Sequence, residues 1–260
     1  MRVTVGVQLI PQHGDFAAMK RAWQEADELG ADRIYNWDHF YPLSGGSDGK
    51  HFESLTVLAA MAAMTTRAEI SSLVICNSYR NPNLLADMAR TIDHISGGRF
   101  ILGIGSGWFR KDYDEYGYEF GTAGSRLRDL DRALTIIKAR WAKLNPPPLR
   151  RIPILIGGGG EKVTLRIVAE HADMWHAFGD PATMRRKADI LDDWCAKVGR
   201  DPKEIQRSTS VRRLDGERRD PEAYLEHGFT DFIVSAQGPD WDLAPLEQLL
   251  AWREGLAPAR

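Results

Sequence analysis

Cysteine is scarce in this sequence: Cys76 and Cys195 are the only two in 260 residues. The first lies in an apolar run and the second in a charged helical pattern, so the pair offers no disulfide framework. We therefore expect a reducing environment, the cytoplasm, and a fold held without covalent cross-links.

Long apolar runs are missing as well. No segment approaches the roughly 18 unbroken apolar residues that a membrane span requires. The N-terminal stretch 3–10 is interrupted by Thr4 and Gln8, and no small-residue cleavage site follows it. This stretch predicts a strand, not a signal peptide, and we expect no membrane partner.

Neither sign of charge dominates, since 34 Lys and Arg stand against 36 Asp and Glu. Such a balance creates no field that attracts nucleic acid or an anionic membrane. The hydrophobic share of 43% suits a packed core and excludes disorder. We expect a small-molecule substrate as the partner. The sequence leaves the oligomeric state open, and a homodimer is the assembly that we consider.

Short β-branched segments alternate with longer amphipathic ones, which is typical of βαβ units around a parallel sheet. The predicted strands are 3–10, 31–37, 70–76, 100–105, 152–157, 174–177, 205–211 and 231–234. The predicted helices are 16–29, 54–64, 84–95, 126–143, 162–172, 182–198, 221–227 and 243–254. Eight units of about 30 residues predict an α/β fold, one (β/α)8 TIM barrel over residues 1–260. An open sheet and a domain boundary at 145–148 are the alternatives.

Candidate catalytic side chains follow the predicted strands, because the active site of such a barrel lies at the C-terminal strand ends. Asp38 and His39 follow the second strand, where a histidine can exchange protons near neutral pH. A purely structural hydrogen bond from His39 is the alternative interpretation. Cys76 ends the third strand with no base at a fixed spacing, which favours a buried, inert thiol over a nucleophile.

Two glycine-rich segments indicate close approach of backbone to a ligand. In 103–107, after the fourth strand, glycines alternate with other residues, and a tight turn is the alternative explanation. Four glycines at 157–160 precede a predicted helix, so backbone N–H groups, with Lys162 or Arg166, predict a phosphate site. The segment lacks the lysine and hydroxyl that a P-loop carries directly after its last glycine, which disfavours a nucleotide triphosphatase.

The sequence predicts no metal site. Asp112, Asp114 and Glu115 resemble a solvated face without paired histidines. His171 and His176 are five residues apart, which differs from the i, i+4 spacing of a zinc helix. We interpret both histidines as structural.

Four motifs resemble the luciferase-like, coenzyme F420-dependent oxidoreductases. They are YRNP at 79–82, TIDHISGGR at 91–99, LGIGSGW at 102–108 and IGGGG at 156–160, in that family's order and spacing. The resemblance implies a luciferase-like TIM barrel whose C-terminal mouth binds the deazaflavin F420. Most members that use flavin mononucleotide (FMN) are longer because of inserted segments, which favours F420.

The resemblance also implies which residues contact the coenzyme. Asp38 and His39 correspond to the acid and the histidine beside the ring in the family's sugar-phosphate dehydrogenases. A bulge with a non-prolyl cis peptide maps to the third strand. The implied cofactor-binding residues there and in the two loops are Ser72, Leu73, Val74, Cys76, Ser106, Gly107, Gly158, Gly159 and Gly160.

Trp108 is a departure from the pattern, because the sugar-phosphate dehydrogenases carry a glutamate there; this puts sugar phosphate in doubt as the substrate. We expect hydride transfer between C5 of the deazaflavin and a small organic substrate, with His39 exchanging a proton and Asp38 orienting it. An FMN-dependent luciferase-like monooxygenase and a non-catalytic deazaflavin-binding barrel are the alternatives. The substrate and the direction of transfer stay open.

Overall fold

The elements of a computed structural model, which describes residues 2–212, 216 and 218–256, alternate between strand and helix. The strands are β1 (Thr4–Ile10), β2 (Arg33–Asn36), β3 (Glu69–Ser72), β4 (Ile75–Cys76), β5 (Leu102–Gly105), β6 (Ile154–Gly157), β7 (Met174–Ala177), β8 (Gln206–Arg212) and β9 (Phe229–Gln237). The helices are α1 (Phe16–Leu29), α2 (Ser54–Met64), α3 (Pro82–Ile95), α4 (Arg110–Tyr116), α5 (Ala123–Trp141), α6 (Thr164–His171), α7 (Pro181–Val198), α8 (Glu222–Leu225) and α9 (Ala244–Gly255).

All ladders between these strands are parallel, in the order β3-β2-β1-β9-β8-β7-β6-β5-β4. Only Leu73 and Val74 separate β3 from β4, so these two segments share one of eight positions around the ring. The ring closes where Ile70 pairs with Phe100 and where β4 pairs with β5. The predicted (β/α)8 barrel is therefore confirmed.

Burial explains why these segments become strands and helices. β1, β2, β5 and β7 are buried along their whole length, as parallel strands covered on both faces must be. Helix α1 packs Met19, Ala22 and Trp23 against them and ends at Gly30, whose φ of 98° favours glycine. Gly199 ends α7 in the same way, so both predicted C-caps are confirmed.

Most predicted boundaries hold within a few residues, and α1, α2 and β7 match fully. The last strand is longer than predicted, because β1 pairs with β9 through seven consecutive residues. Helix α4 was not predicted at all. The proline segment 146–148 connects α5 to β6 of the same sheet. Within the described part of the chain, every helix is too short or too polar to cross a bilayer.

Candidate active site

A cavity of about 790 Å³ opens at the C-terminal ends of the strands. Such a volume lies within the range of small-molecule and cofactor sites. Nine of the residues predicted for the site line it: Asp38, His39, Leu73, Val74, Cys76, Ser106, Gly107, Gly158 and Gly159. Ser72 is fully buried behind the wall, and Gly160 lies just beyond the lining.

His39 lies on the loop after β2, with its ring in the cavity wall. Its Nδ1 is 2.7 Å from Oδ2 of Asp112. The rings of Trp37, Trp108 and Phe109 surround the imidazole at centroid distances of 5.3, 5.9 and 5.4 Å. With Nδ1 held by a carboxylate, Nε2 is the nitrogen available to a ligand.

Asp112 was predicted to lie on a solvated face, and that prediction is wrong. Its side chain is fully buried, and besides His39 it accepts hydrogen bonds from the Tyr79 hydroxyl at 3.0 Å and the Phe40 backbone N–H at 3.2 Å. The reason is the short helix α4, which turns Asp112 inward while Asp114 stays exposed. Glu115 is exposed as well, as predicted.

Asp38 does not orient His39, which corrects the role expected from their adjacency. Its buried carboxylate accepts two hydrogen bonds from the Arg80 guanidinium, one of them at 2.9 Å. It also accepts the Cys76 backbone N–H at 2.9 Å. Asp38 therefore fixes the end of β4, and the carboxylate that holds the imidazole comes from α4.

The third barrel strand bulges into the cavity between β3 and β4. A non-prolyl cis peptide bond joins Leu73 and Val74, at the position that the resemblance implies. The Leu73 carbonyl accepts a hydrogen bond from Gln8 Nε2 at 3.0 Å. A Cβ at Gly105 or Gly157 would lie 2.8 or 2.9 Å from a Val74 methyl carbon. These two glycines therefore make room for the bulge.

The four-glycine segment is less open than the sequence indicated. The Gly158 N–H donates to the His176 carbonyl at 2.9 Å, so it is not available to a phosphate. Helix α6 begins at Thr164, two residues later than predicted. A Cβ at Gly160 would lie 2.8 Å from Thr164 Oγ1, and Gly160 is outside the cavity lining, whereas Gly159 is part of it.

Lys187 of α7 is a cation beside this segment, and no sequence pattern indicated it. A Cβ on Gly159 would lie 2.3 Å from Lys187 Nζ. Arg166, one of the two predicted cations, instead pairs with Asp131 at 2.8 Å and Glu170 at 2.6 Å. Positive charge at the glycine segment thus comes from a helix that follows it by more than 20 residues.

Cys76 has the inert surroundings that the sequence predicted. Its Sγ lies 3.2 Å from the Tyr113 hydroxyl, and burial raises the pKa of the thiol. A Cβ at Gly107, whose φ is 77°, would lie 2.0 Å from the same hydroxyl. Gly107 is thus required by packing and backbone conformation, and Ser106 beside it lines the cavity.

The two histidines interpreted as structural differ in position. His176 lies in β7 and lines the cavity, with Nδ1 2.9 Å from Ser208 Oγ. His171 lies outside the cavity lining, with Nε2 3.1 Å from Asp131. Asp131, Glu170 and His171 converge, yet Arg166 pairs with both carboxylates, which makes an ion-pair cluster.

His51 is a second imidazole near the cavity that the sequence analysis did not single out. It accepts the indole N–H of Trp37 at 3.0 Å, and the two rings stack at an interplanar angle of 11°. Burial, with a contribution from the charge of His39, lowers the pKa of His51 to about 4. His51 is therefore neutral near pH 7 and holds Trp37 against His39.

This lowered pKa predicts a pH-dependent stability. Because the unfolded His51 has an ordinary pKa of 6.5 and the folded one about 4, the unfolded chain takes up the proton first. Its contribution to the free energy of unfolding is complete above pH 6.5 and falls by about 2 kcal/mol by pH 5. Replacing His51 with glutamine keeps an acceptor for Trp37 without titration. Urea unfolding at pH 7 and pH 5 should show a smaller decrease for this variant, and equal decreases would contradict the assignment.

A model of the luciferase-like monooxygenase family matches residues 3–222, and the chain belongs to this family. An uncharacterized protein of Mycobacterium tuberculosis is 32% identical over 215 residues, 74% of this chain and 70% of that protein. An F420-dependent glucose-6-phosphate dehydrogenase of Microbacterium testaceum is 28% identical over 208 residues, 72% of this chain and 61% of that protein.

Solved structures with the same fold include an F420-dependent dehydrogenase and a monooxygenase. An F420-dependent secondary alcohol dehydrogenase in complex with an F420-acetone adduct has a TM-score of 0.83 at 14% identity, covering 94% of this chain and 96% of its own. The monooxygenase RslO1 of Streptomyces bottropensis has a TM-score of 0.74 at 16% identity, and the match covers 97% of this chain and 98% of RslO1. The family thus contains oxidoreductases that depend on F420 and also monooxygenases.

Proposed function

We propose that the protein is an F420-dependent oxidoreductase that transfers a hydride between C5 of the deazaflavin and a small organic substrate. One observation carries this proposal: the His39 imidazole lies in the wall of the cavity with Nδ1 held 2.7 Å from a buried carboxylate. A histidine held in this way has a fixed ring orientation and one nitrogen left for proton exchange.

The cavity residues fit a deazaflavin. Leu73 and Val74 present an apolar bulge that suits an aromatic ring, and the absence of a side chain at Gly159 lets the Lys187 ammonium lie against the cavity lining, where a cation suits a phosphate. These residues would hold the coenzyme, with Ser106 beside the ring. When bound, coenzyme F420 supplies or accepts the hydride.

The chain itself handles the proton. His39 gives it to, or takes it from, the substrate through Nε2. Asp112 fixes the ring orientation and balances the charge of the protonated imidazole. The surrounding rings of Trp37 and Phe109 limit access of water to the pair.

A flavin-dependent monooxygenase is the second candidate, since RslO1 has the same fold over nearly the whole chain. The F420-dependent alcohol dehydrogenase has the higher TM-score of the two, 0.83 against 0.74, which supports F420. The two candidates differ in their need for oxygen, because hydride transfer to an organic acceptor needs none.

Anaerobic turnover tests the proposed function. The protein is mixed under nitrogen with reduced F420 and a panel of aldehydes and ketones, and oxidation of the coenzyme is followed by absorbance. We expect one product molecule for each coenzyme oxidised, without oxygen. Turnover that requires FMN and air would establish the monooxygenase, and tight F420 binding without turnover in either direction would establish the non-catalytic barrel.

Substituting Gly159 tests the phosphate site. Gly159 lies outside the left-handed region, so valine is tolerated by the backbone, but its side chain must displace Lys187 Nζ. We expect Gly159→Val to weaken F420 binding by about 10-fold or more, as loss of one ion pair to a phosphate allows. Tryptophan fluorescence titration measures this affinity, with Cys76→Ala as the control. The ribityl deazaflavin that lacks the phosphate should bind both variants alike. A loss for Gly159→Val no larger than that for Cys76→Ala would count against the site.

A further inference from the structure

Two large aromatic side chains are exposed where the cavity opens. Trp108 and Phe178 line the cavity with exposed fractions of 64% and 49%. The Trp108 ring centroid is 5.9 Å from that of His39, so a ligand against this indole lies next to the imidazole. Exposed aromatic surface at a cavity mouth is characteristic of binding sites for apolar groups.

The charges around the cavity disfavour a charged substrate of either sign. Among the described residues that line it, none is lysine or arginine. Asp38 is the one acid among the described lining residues, and it is already paired with Arg80. Asp112 lies outside the lining, behind His39, and is bound to that imidazole. A phosphate, carboxylate or ammonium group beside His39 would lose its hydration without gaining an ion pair.

Ser44 and Gln237, two polar residues of the lining, bond to the buried Gln12. Gln12 Nε2 donates to Ser44 Oγ at 2.8 Å and to Gln237 Oε1 at 3.0 Å. The cavity wall next to them is apolar, formed by Ile10 and Leu43. The hydroxyl groups of a sugar phosphate would therefore find few free hydrogen-bond partners in this part of the cavity.

From these observations we infer that the substrate is a small, uncharged, largely apolar carbonyl compound, or its alcohol, seated against Trp108 and Phe178. This inference rests on the proposed function and specifies its substrate class. In the reducing direction, bound reduced F420 would supply the hydride to the carbonyl carbon, the C=O π electrons would move to oxygen, and His39 would protonate that oxygen. The carbonyl compound becomes the alcohol, and the deazaflavin is oxidised.

Benzaldehydes that differ at the para position test the charge preference. We compare benzaldehyde with 4-carboxybenzaldehyde and 4-(trimethylammonio)benzaldehyde in the holoenzyme with reduced F420. The expected kcat/KM for benzaldehyde exceeds both charged analogues by about 100-fold, because neither charge finds a partner. Equal values, or a preference for either charged aldehyde, would overturn the inference.

Variants at the mouth test the aromatic contact. We expect Trp108→Ala to raise the KM for benzaldehyde by about 10-fold with little change in kcat or in F420 affinity, and Trp108→Phe to restore most of the loss. Val198→Ala, at the end of α7 and also partly exposed, is the control and should change nothing. An unchanged KM for Trp108→Ala would place the substrate elsewhere.

A binding measurement separates this inference from the proposed function. Dissociation constants of the three aldehydes for the F420-loaded protein are measured by ligand-observed NMR, which needs no turnover. If turnover fails but benzaldehyde binds at least about 10-fold more tightly than the charged pair, the substrate class stands and the hydride chemistry falls. If the charged aldehydes bind equally well, the substrate class falls whatever the activity.

Discussion

Replacing His39 with alanine is expected to lower kcat about 100-fold or more, the usual scale for loss of a general acid or base. The affinity for F420 should stay near the wild-type value, because the phosphate and ring contacts proposed for Gly159 and Leu73 are untouched. We would measure kcat with saturating reduced F420 and benzaldehyde, and the coenzyme affinity by tryptophan fluorescence.

The control for this variant is His171→Ala, a histidine outside the cavity lining, which should leave kcat unchanged. If His39→Ala instead loses the coenzyme and keeps its turnover at saturation, His39 is a binding residue. The proton would then come from another group, and His176 in the same wall is the next histidine to test.

Asp112→Asn should lower kcat by about 10- to 100-fold, since the imidazole loses the carboxylate that fixes its orientation and balances its positive charge. The KM for benzaldehyde and the affinity for F420 should change little, because Asp112 lies behind His39 and outside the cavity lining. This split between kcat and KM distinguishes a positioning residue from one that merely supports the fold. Asp112→Glu should recover part of the loss.

The double variant is the sharper form of this test. If Asp112 acts through His39, then Asp112→Asn combined with His39→Ala should be no slower than His39→Ala alone. Tyr79→Phe removes another hydrogen bond to the same carboxylate and leaves the imidazole contact, so its effect should be smaller. Losses that multiply in the double variant would show that Asp112 acts independently.

The barrel could be predicted because its signal is local and repeated. Many of the strands carry an apolar run and several of the longer helices an apolar face at helical spacing, so eight alternations in the sequence correspond to eight positions in the ring. Helix α4 was not predicted because its seven residues, RKDYDEY, are charged at nearly every position and show no apolar periodicity. The burial of Asp112 and Tyr113 is visible only in the folded structure.

The cavity lining could be predicted in large part, because the rule that places active sites at strand ends needs only the order of the strands. The pairings within the site could not. His39 meets Asp112 across 73 positions of sequence, whereas adjacency pointed to Asp38. Lys187 similarly reaches Gly159 from a later helix. Such contacts depend on how the loops after β2, β5 and β7 fold over the mouth.

Titration of the purified protein with F420 and, in parallel, with FMN tests the central claim most directly. Trp37 and Trp108 line the cavity, so their fluorescence should report occupancy. The proposed function predicts saturable quenching by F420 with a dissociation constant at least about 10-fold below that for FMN. Tighter binding of FMN, or no saturable response to F420, would contradict it.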